Sequence, residues 1–359
     1  MKTAQLTHKQ LLKAHKDPEK AAKAAALRYV SDSDPGISRV KKGTGFGYTY
    51  NNKPLRDKKE IERIRKLVIP PAWTEVWICT SPDGHIQATG KDVRGRKQYR
   101  YHPNWHNLRN ETKFHRMYEF GKALPGLRLQ VEKDICVQDL NERKVLATLV
   151  RLMEHTFIRV GNAGYEKLYG SYGLTTMKDG HVTIKGSTLT FSFKGKKGIY
   201  HNITVRNKRL AKIVQACKDI SGKELFQYYD AEGNRKSVDS GMVNSYIKEI
   251  TNEDFTAKDF RTWAGSLAML QVLKDTGAAT TATESKKNIV AALDEVSKKL
   301  GNSRAICKKY YVHPGLLRLY EENSLDKHLT ELEKIEVCDN KTDLTGEEKV
   351  LMKILDALK

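Results

Sequence analysis

Lys299-Leu300-Gly301-Asn302-Ser303-Arg304-Ala305-Ile306-Cys307-Lys308-Lys309-Tyr310-Tyr311-Val312-His313-Pro314 is the stretch on which the reading of this chain turns. Two adjacent tyrosines stand among Lys299, Arg304, Lys308 and Lys309, close after a helical pattern and just before a His-Pro that stops the segment. A phenol is a weak nucleophile at its ordinary pKa near 10, and neighbouring cations favour its ionised form. A tyrosine so placed is a candidate to attack a phosphodiester. Taken alone, the stretch reads more readily as a solvated basic helix whose tyrosines pack their rings and expose their hydroxyls. The remainder of the chain has to decide between the two.

The 359 residues are enough for two domains and a sizeable core, and the 39% hydrophobic content supports folding. A formal charge of +21 is the strongest compositional signal and suits a polyanionic partner, nucleic acid before an acidic membrane surface. Residues 1–100 hold 22 Lys and Arg against 10 Asp and Glu, whereas residues 321–359 hold 6 against 11, so the tail is acidic and outside the positive field. Cys79, Cys136, Cys217, Cys307 and Cys338 are scattered, with no Cys-x-x-Cys. That argues against a zinc ribbon or a disulfide framework and for a reducing compartment. The chain opens without an apolar run of signal length and has no 18-residue apolar stretch. A soluble intracellular protein is expected.

Along the chain, Gln10 to Leu27 reads as a Lys- and Ala-rich helix or a frayed basic arm, and residues 31–56 read as turn-rich. Gly43-x-Gly45-x-Gly47 invites a phosphate-loop reading, but it lacks the lysine and hydroxyl of a Walker loop. Asp32 and Asp34, beside Pro35-Gly36, read as turn chemistry rather than metal ligands. A charged helix at 58–67 precedes a hairpin built from Val76–Cys79 and His85–Ala88. After it, Arg96, Lys97, Gln98, Tyr99 and Tyr101 alternate base and aromatic. This suits a strand laid on nucleic acid, with cations on phosphates and Gln98 on a base edge. Helical spacing dominates from Trp105, with a run that Arg159 closes. Period-two patterns at 181–205 predict a small antiparallel sheet, and helices are expected at 208–218, 240–250, 261–276 and 285–300, followed by two short ones in the tail.

Phosphoryl transfer without a metal needs cations on the non-bridging oxygens, a proton donor for the leaving oxygen and an in-line nucleophile. Arginine suits the first role through its planar fork, and lysine the second because its pKa falls in a crowded, desolvated site. Residues of these types, with one asparagine, occur in order along the chain. Arg159 lies in Phe157-Ile158-Arg159-Val160-Gly161-Asn162, followed by Gly170-Ser171-Tyr172-Gly173-Leu174-Thr175-Thr176. Lys196 lies in Phe193-Lys194-Gly195-Lys196, Arg261 in Lys258-Asp259-Phe260-Arg261-Thr262-Trp263, and Asn302 and Tyr311 in the opening stretch. These segments, spaced by 37, 65, 41 and 9 residues, resemble the type IB DNA topoisomerases of the bacterial and poxvirus group. The resemblance covers most of residues 30–350, and Gly95–Tyr101 is similar to a DNA-contacting strand of that family.

The resemblance implies roles. Arg159 and Arg261 hold the phosphate, Lys196 is the general acid, Asn302 bonds the phosphate where other members have histidine, and Tyr311 is the nucleophile. Lys194 and Lys197 rival Lys196, and Tyr310 rivals Tyr311; spacing prefers Lys196, and the following Val-His-Pro prefers Tyr311. The implied fold is α+β. A small mixed N-terminal DNA-binding domain, residues 1–110, precedes a larger mainly helical catalytic domain, residues 111–359, that contains a short antiparallel sheet of the tyrosine recombinase and topoisomerase IB type. The implied protein is a monomer that clamps supercoiled duplex DNA and relaxes it without cofactor, ATP or metal. A tyrosine recombinase is the first rival, but Lys258-x-x-Arg261 stands where those enzymes have His-x-x-Arg. A catalytically silent DNA-binding protein is the second.

Overall fold

The structure is a computed structural model that describes residues 7–330 and 342–359. Cys338 and part of the acidic tail lie outside the described residues. The chain divides into two compact units, residues 1–116 and 117–358, and the division falls within the helix Pro103–Ile135.

The first unit is built on a six-stranded antiparallel sheet with the spatial order Lys53–Pro54, Gly45–Tyr50, Ile37–Lys42, Thr74–Ile78, Ile86–Lys91, Lys97–Tyr101. Residues 31–56 are therefore not mainly turns. Gly45 and Gly47 pair with Lys42 and Val40 inside a hairpin that Gly43 helps to turn (φ 58°), so the glycine triplet makes a hairpin and no phosphate loop. Alternation gives the sheet a core face, where Ile37, Val76, Ile78 and Ala88 pack on Ile64 of the helix Lys58–Lys66. Arg39 joins this face to the loop after that helix, donating to the carbonyls of Ile69, Pro70 and Trp73. The acidic turn residues have local partners: Asp34 accepts from the Ser31 amide, and Asp32 accepts from Thr89 and pairs with Lys97. The basic N-terminal text forms two helices, His8–Lys16 and Pro18–Ala24, whose Leu11, Ala21 and Ala22 pack against Trp105 and Leu108.

The second unit is mainly helical around one core. The helix Ala257–Thr276 runs through it, with Phe260, Trp263, Met269 and Leu273 buried. It packs against Ala282–Leu300, which buries Ile289, Leu293, Val296 and Leu300 as the helical spacing predicted. The predicted small sheet is present as Val182–Lys185, Thr188–Lys194 and Tyr200–Arg206, all antiparallel, with Leu189, Phe191 and Phe193 turned into the core. A second hairpin, Gln227–Tyr229 with Arg235–Ser237, was not expected. Its three-residue strands are too short to show a period in the sequence. Both site helices also start earlier than expected, at Ala257 and Ala282. Their N-caps, Thr256 and Thr281, sit in ordinary Thr-rich text.

Candidate active site

Arg159 does not close a helix. The helix Glu142–Thr156 ends at Phe157, whose left-handed backbone (φ 57°) turns the chain away two residues earlier. The following backbone is then held by the segment Gly173–Thr176. The amide of Leu174 donates to the carbonyl of Arg159 at 2.9 Å and that of Thr175 to Val160 at 2.7 Å. Gly161 and Gly173 make this approach possible, since a Cβ on Gly173 would lie 2.5 Å from the Arg159 oxygen. The same loop reaches the small sheet, where the Tyr172 amide donates to the Lys194 carbonyl at 2.8 Å. One glycine-rich loop thus fixes the backbone of Arg159 and braces the hairpin that carries Lys196.

Arg261 sits in the second turn of the helix Ala257–Thr276, and the next turn holds the tyrosine segment. A Cβ on Gly265 would lie 2.6 Å from the Tyr311 carbonyl oxygen and 2.9 Å from its Cβ. Only glycine lets the helix come this close. Ser266 locks the contact, its hydroxyl donating to the Tyr311 carbonyl at 3.2 Å and accepting from the His313 amide at 3.0 Å. Tyr311 itself ends the helix Arg304–Tyr310 as its C-cap. The helix that carries Arg261 therefore also holds the backbone of Tyr311, one turn further on.

The side chains of Arg159, Arg261, Asn302 and Tyr311 converge. Arg159 donates through one terminal nitrogen to Asn302 Oδ1 at 2.5 Å and to the Gly301 carbonyl at 3.2 Å. Arg261 donates to the carbonyls of Leu300, at 2.8 Å, and of Phe157, and its guanidinium carbon lies 5.1 Å from the centre of the Tyr311 ring. These carbonyls belong to the C-terminal ends of two helices, whose partial negative charge helps hold the cations in place. Neither arginine pairs with a carboxylate among the described residues. Burial, then the nearby Arg261 charge, pushes Arg159 down to about 10, with only Tyr311 and the Cys307 thiol acting against it. Burial also pushes Arg261 down, opposed by Tyr311. Two donors face inward unused: Arg261 Nε, and Asn302 Nδ2, which neighbours the Cys307 thiol but has no hydrogen bond of ordinary geometry. Crowded cations without a counter-charge, together with unspent N–H groups, describe a pocket shaped for an anion.

Lys196 makes no hydrogen bond to these four. It stands exposed in a tight turn, Lys196–Gly198, whose apex Lys197 is left-handed (φ 62°). Its neighbour Gly195 shares the wall of a small cavity with Arg159, Tyr172, His201 and Lys299. Lys194 pairs across the hairpin with Tyr200 on the outward face, opposite to Phe193 and His201. In the first unit, the strand Lys97–Tyr101 divides its expected contacts between two faces. Tyr99 and Tyr101 stack, with ring centres 5.6 Å apart, and Lys97 lies over Tyr99. Gln98 and Arg96 instead bond Asp92, at 3.0 and 2.6 Å. No group of three or more metal-ligating side chains occurs among the described residues, and no described helix is long and apolar enough to cross a membrane.

Comparison with known proteins adds a family to this geometry. Residues 102–336 match the family described as eukaryotic DNA topoisomerase I, catalytic core, and residues 45–92 match the bacterial DNA topoisomerase IB N-terminal domain. The chain is similar to DNA topoisomerase 1B of Acanthamoeba polyphaga mimivirus, with 37% identity over 297 residues that cover 80% of this chain and 88% of the relative. The chain belongs to the type IB DNA topoisomerases. Such an enzyme is an isomerase of DNA topology. Similarity to DNA topoisomerase 1B of vaccinia virus (strain Copenhagen) is 25% over 243 residues, covering 66% and 73% of the two chains. To DNA topoisomerase 1 of rabbit fibroma virus (strain Kasza) it is 23% over 300 residues, covering 77% and 90%. Sequence reasoning on this topoisomerase missed Gly265, Ser266 and His201. Their place depends on contacts between elements far apart in the chain; only the Gly265-Ser266 pair inside an otherwise good helical pattern hinted at a close approach.

Proposed function

We propose that the chain relaxes supercoiled duplex DNA of either sign by transient cleavage of one strand through Tyr311. The observation that supports this most is the anion pocket beside the Tyr311 ring, formed by two guanidiniums and an amide with no acidic partner. A phosphodiester satisfies it. Arg159 and Arg261 take the non-bridging oxygens, and Asn302 donates a neutral hydrogen bond. The Tyr311 oxygen bonds to phosphorus as its proton passes to solvent. The bond from phosphorus to the 5′ oxygen breaks, and that oxygen takes a proton from Lys196. The product is a 3′-phosphotyrosyl strand and a free 5′-hydroxyl. While the two ends are apart, the cut strand swivels about the intact one; the 5′-hydroxyl then attacks the phosphotyrosine and restores the duplex. The phosphotyrosine conserves the bond energy, so the cycle consumes no ATP, and the arginines supply the charge that a metal would otherwise bring.

In this reading the enzyme is a monomer in the cytoplasm, associated with the nucleoid, and its two units clamp the duplex with Arg96, Lys97, Gln98, Tyr99 and Tyr101 on the DNA. With ~6 phosphates neutralised, log affinity falls against log salt with a slope of roughly −5. The direct test is relaxation of negatively and positively supercoiled plasmid in EDTA without ATP, for the wild type and Tyr311→Phe. The wild type relaxes both and the variant neither. If both proteins shift DNA on a gel but neither relaxes it, the proposal fails and a structural role replaces it.

A further inference from the structure

His201 takes no part in the reaction described above, yet it sits between the general-acid hairpin and the phosphate pocket. It lies on the strand Tyr200–Arg206, directly opposite Phe193, and stacks on that ring with centres 5.0 Å apart. Its edge fills the space left by two glycines. A Cβ on Gly195 would lie 2.6 Å from His201 Cδ2, and a Cβ on Gly301 would lie 2.3 Å from His201 Cε1. Gly195 is the residue before Lys196, and Gly301 is the residue before Asn302 whose carbonyl also receives Arg159. The imidazole is thus held between the backbone that carries the proton donor and the backbone that carries the phosphate ligands.

We propose that His201 is a positioning residue for the general acid, its ring setting the spacing between the Lys196 turn and the Gly301–Asn302 end of the pocket. This rests on the reading of the site given above. The charged groups facing the ring are Arg159 and Arg261, and Lys299 shares its cavity. Burial first, and then the two guanidiniums, lower the pKa of His201. It stays neutral near pH 7 and works by shape rather than by charge. Shape matters because Lys196 is in an exposed turn and its side chain makes no hydrogen bond or ion pair that would aim it. A loss of position by about 1 Å at a catalytic group costs on the order of 100-fold.

The effect of His201 is therefore confined to proton delivery, and leaving-group chemistry isolates that step. With sulfur in place of the bridging 5′ oxygen, the bond from phosphorus to sulfur breaks and the electron pair remains on a thiolate. Thiols ionise near ~8.5, so no proton donor is needed. The experiment measures covalent adduct formation in a single turnover on both substrates, with DNA affinity measured alongside, for the wild type, Lys196→Ala, Arg159→Ala, His201→Ala and His201→Phe. On ordinary DNA, His201→Ala forms adduct roughly 10- to 100-fold more slowly with unchanged affinity. On the sulfur substrate it matches the wild type, as Lys196→Ala does and Arg159→Ala does not. His201→Phe keeps a flat ring against both glycines and recovers most of the loss, which separates spacing from any effect on folding. An equal loss on both substrates, or no loss on either, overturns the inference. A wild type that never links to DNA overturns the reading of the site, and this inference with it.

Discussion

Two pairs of buried or half-buried arginines in the second unit invite comparison. Arg128 donates to Glu154 at 2.5 Å, to Glu348 at 2.7 and 2.9 Å, and to the Asp343 carbonyl. Arg151 pairs with Glu132 and Glu154. For Arg128, burial alone would lower the pKa, but Glu348 and Glu154 together raise it. Arg159 and Arg261 shift the opposite way and meet only neutral oxygens. The two regions are neighbours: Trp263, two residues after Arg261, donates its indole N–H to the same Glu348 that holds Arg128. A buried arginine that has its carboxylates is a fastener; one left without them is a receptor. The protein uses both, linked through Trp263 and Glu348.

This contrast breaks if removal of a site arginine proves merely structural. Arg261→Ala is expected to slow covalent adduct formation by ~10²–10³-fold, as for loss of an oxyanion donor. A single-turnover gel assay reads it, and a loss under 10-fold would put Arg261 with the fasteners. The converse variant, Glu348→Gln, strands part of a buried charge and is expected to cost about 3 kcal/mol of stability. The rate per folded molecule stays near that of the wild type, by thermal melts paired with active-site titration. Asn302→Asp would turn receptor into fastener by giving Arg159 the acid it lacks. Cleavage should fall roughly 10- to 100-fold while the melting temperature holds or rises, since the new carboxylate both occupies Arg159 and repels phosphate.

Acid sharpens the same contrast. The Arg128 bonds outweigh burial and hold Glu348 below its ordinary value of 4.5. Its contribution to stability is complete above that value and is lost as pH falls through the lower folded pKa. The difference in stability between wild type and Glu348→Gln should therefore shrink below pH ~4.5, followed by denaturant melts across that range. The smallest expected effect lies in the pocket. Asn302 cannot titrate, so the Asn302-dependent part of the cleavage rate should be flat across ~6.5. A rate change in that window that Asn302→Ala abolishes would contradict this.

The strands and helices that surround the pocket were legible because they bury one face with a clear period, as in Leu189, Phe191 and Phe193, or Ile289, Leu293 and Val296. Gly45 and Gly47 misled because glycine is scarce in strands, and here the hairpin keeps them where Lys42 and Val40 lie across. Arg159, Arg261, Asn302 and Tyr311 were legible as a set because chemistry and order constrain them jointly. Whether each had an acidic partner was not, since a carboxylate can arrive from anywhere in the chain, as Glu348 does for Arg128 across 220 residues. Gly265 and His201 were hidden for the same reason: they are defined by what comes near them.

Two helix ends converge on Arg261, one through Phe157 and one through Leu300. This makes length itself a specification. Each added or deleted residue in Glu142–Thr156 or Ala282–Leu300 would rotate the terminal carbonyl by about 100° and move it by about 1.5 Å. These helices behave as cut struts, and the interval from Arg261 to Asn302 is a measured span rather than a linker. Within that span an insertion that leaves both helices intact falls in the loop 277–281, between Ala257–Thr276 and Ala282–Leu300. A chain that drifts freely in composition would still have to keep count.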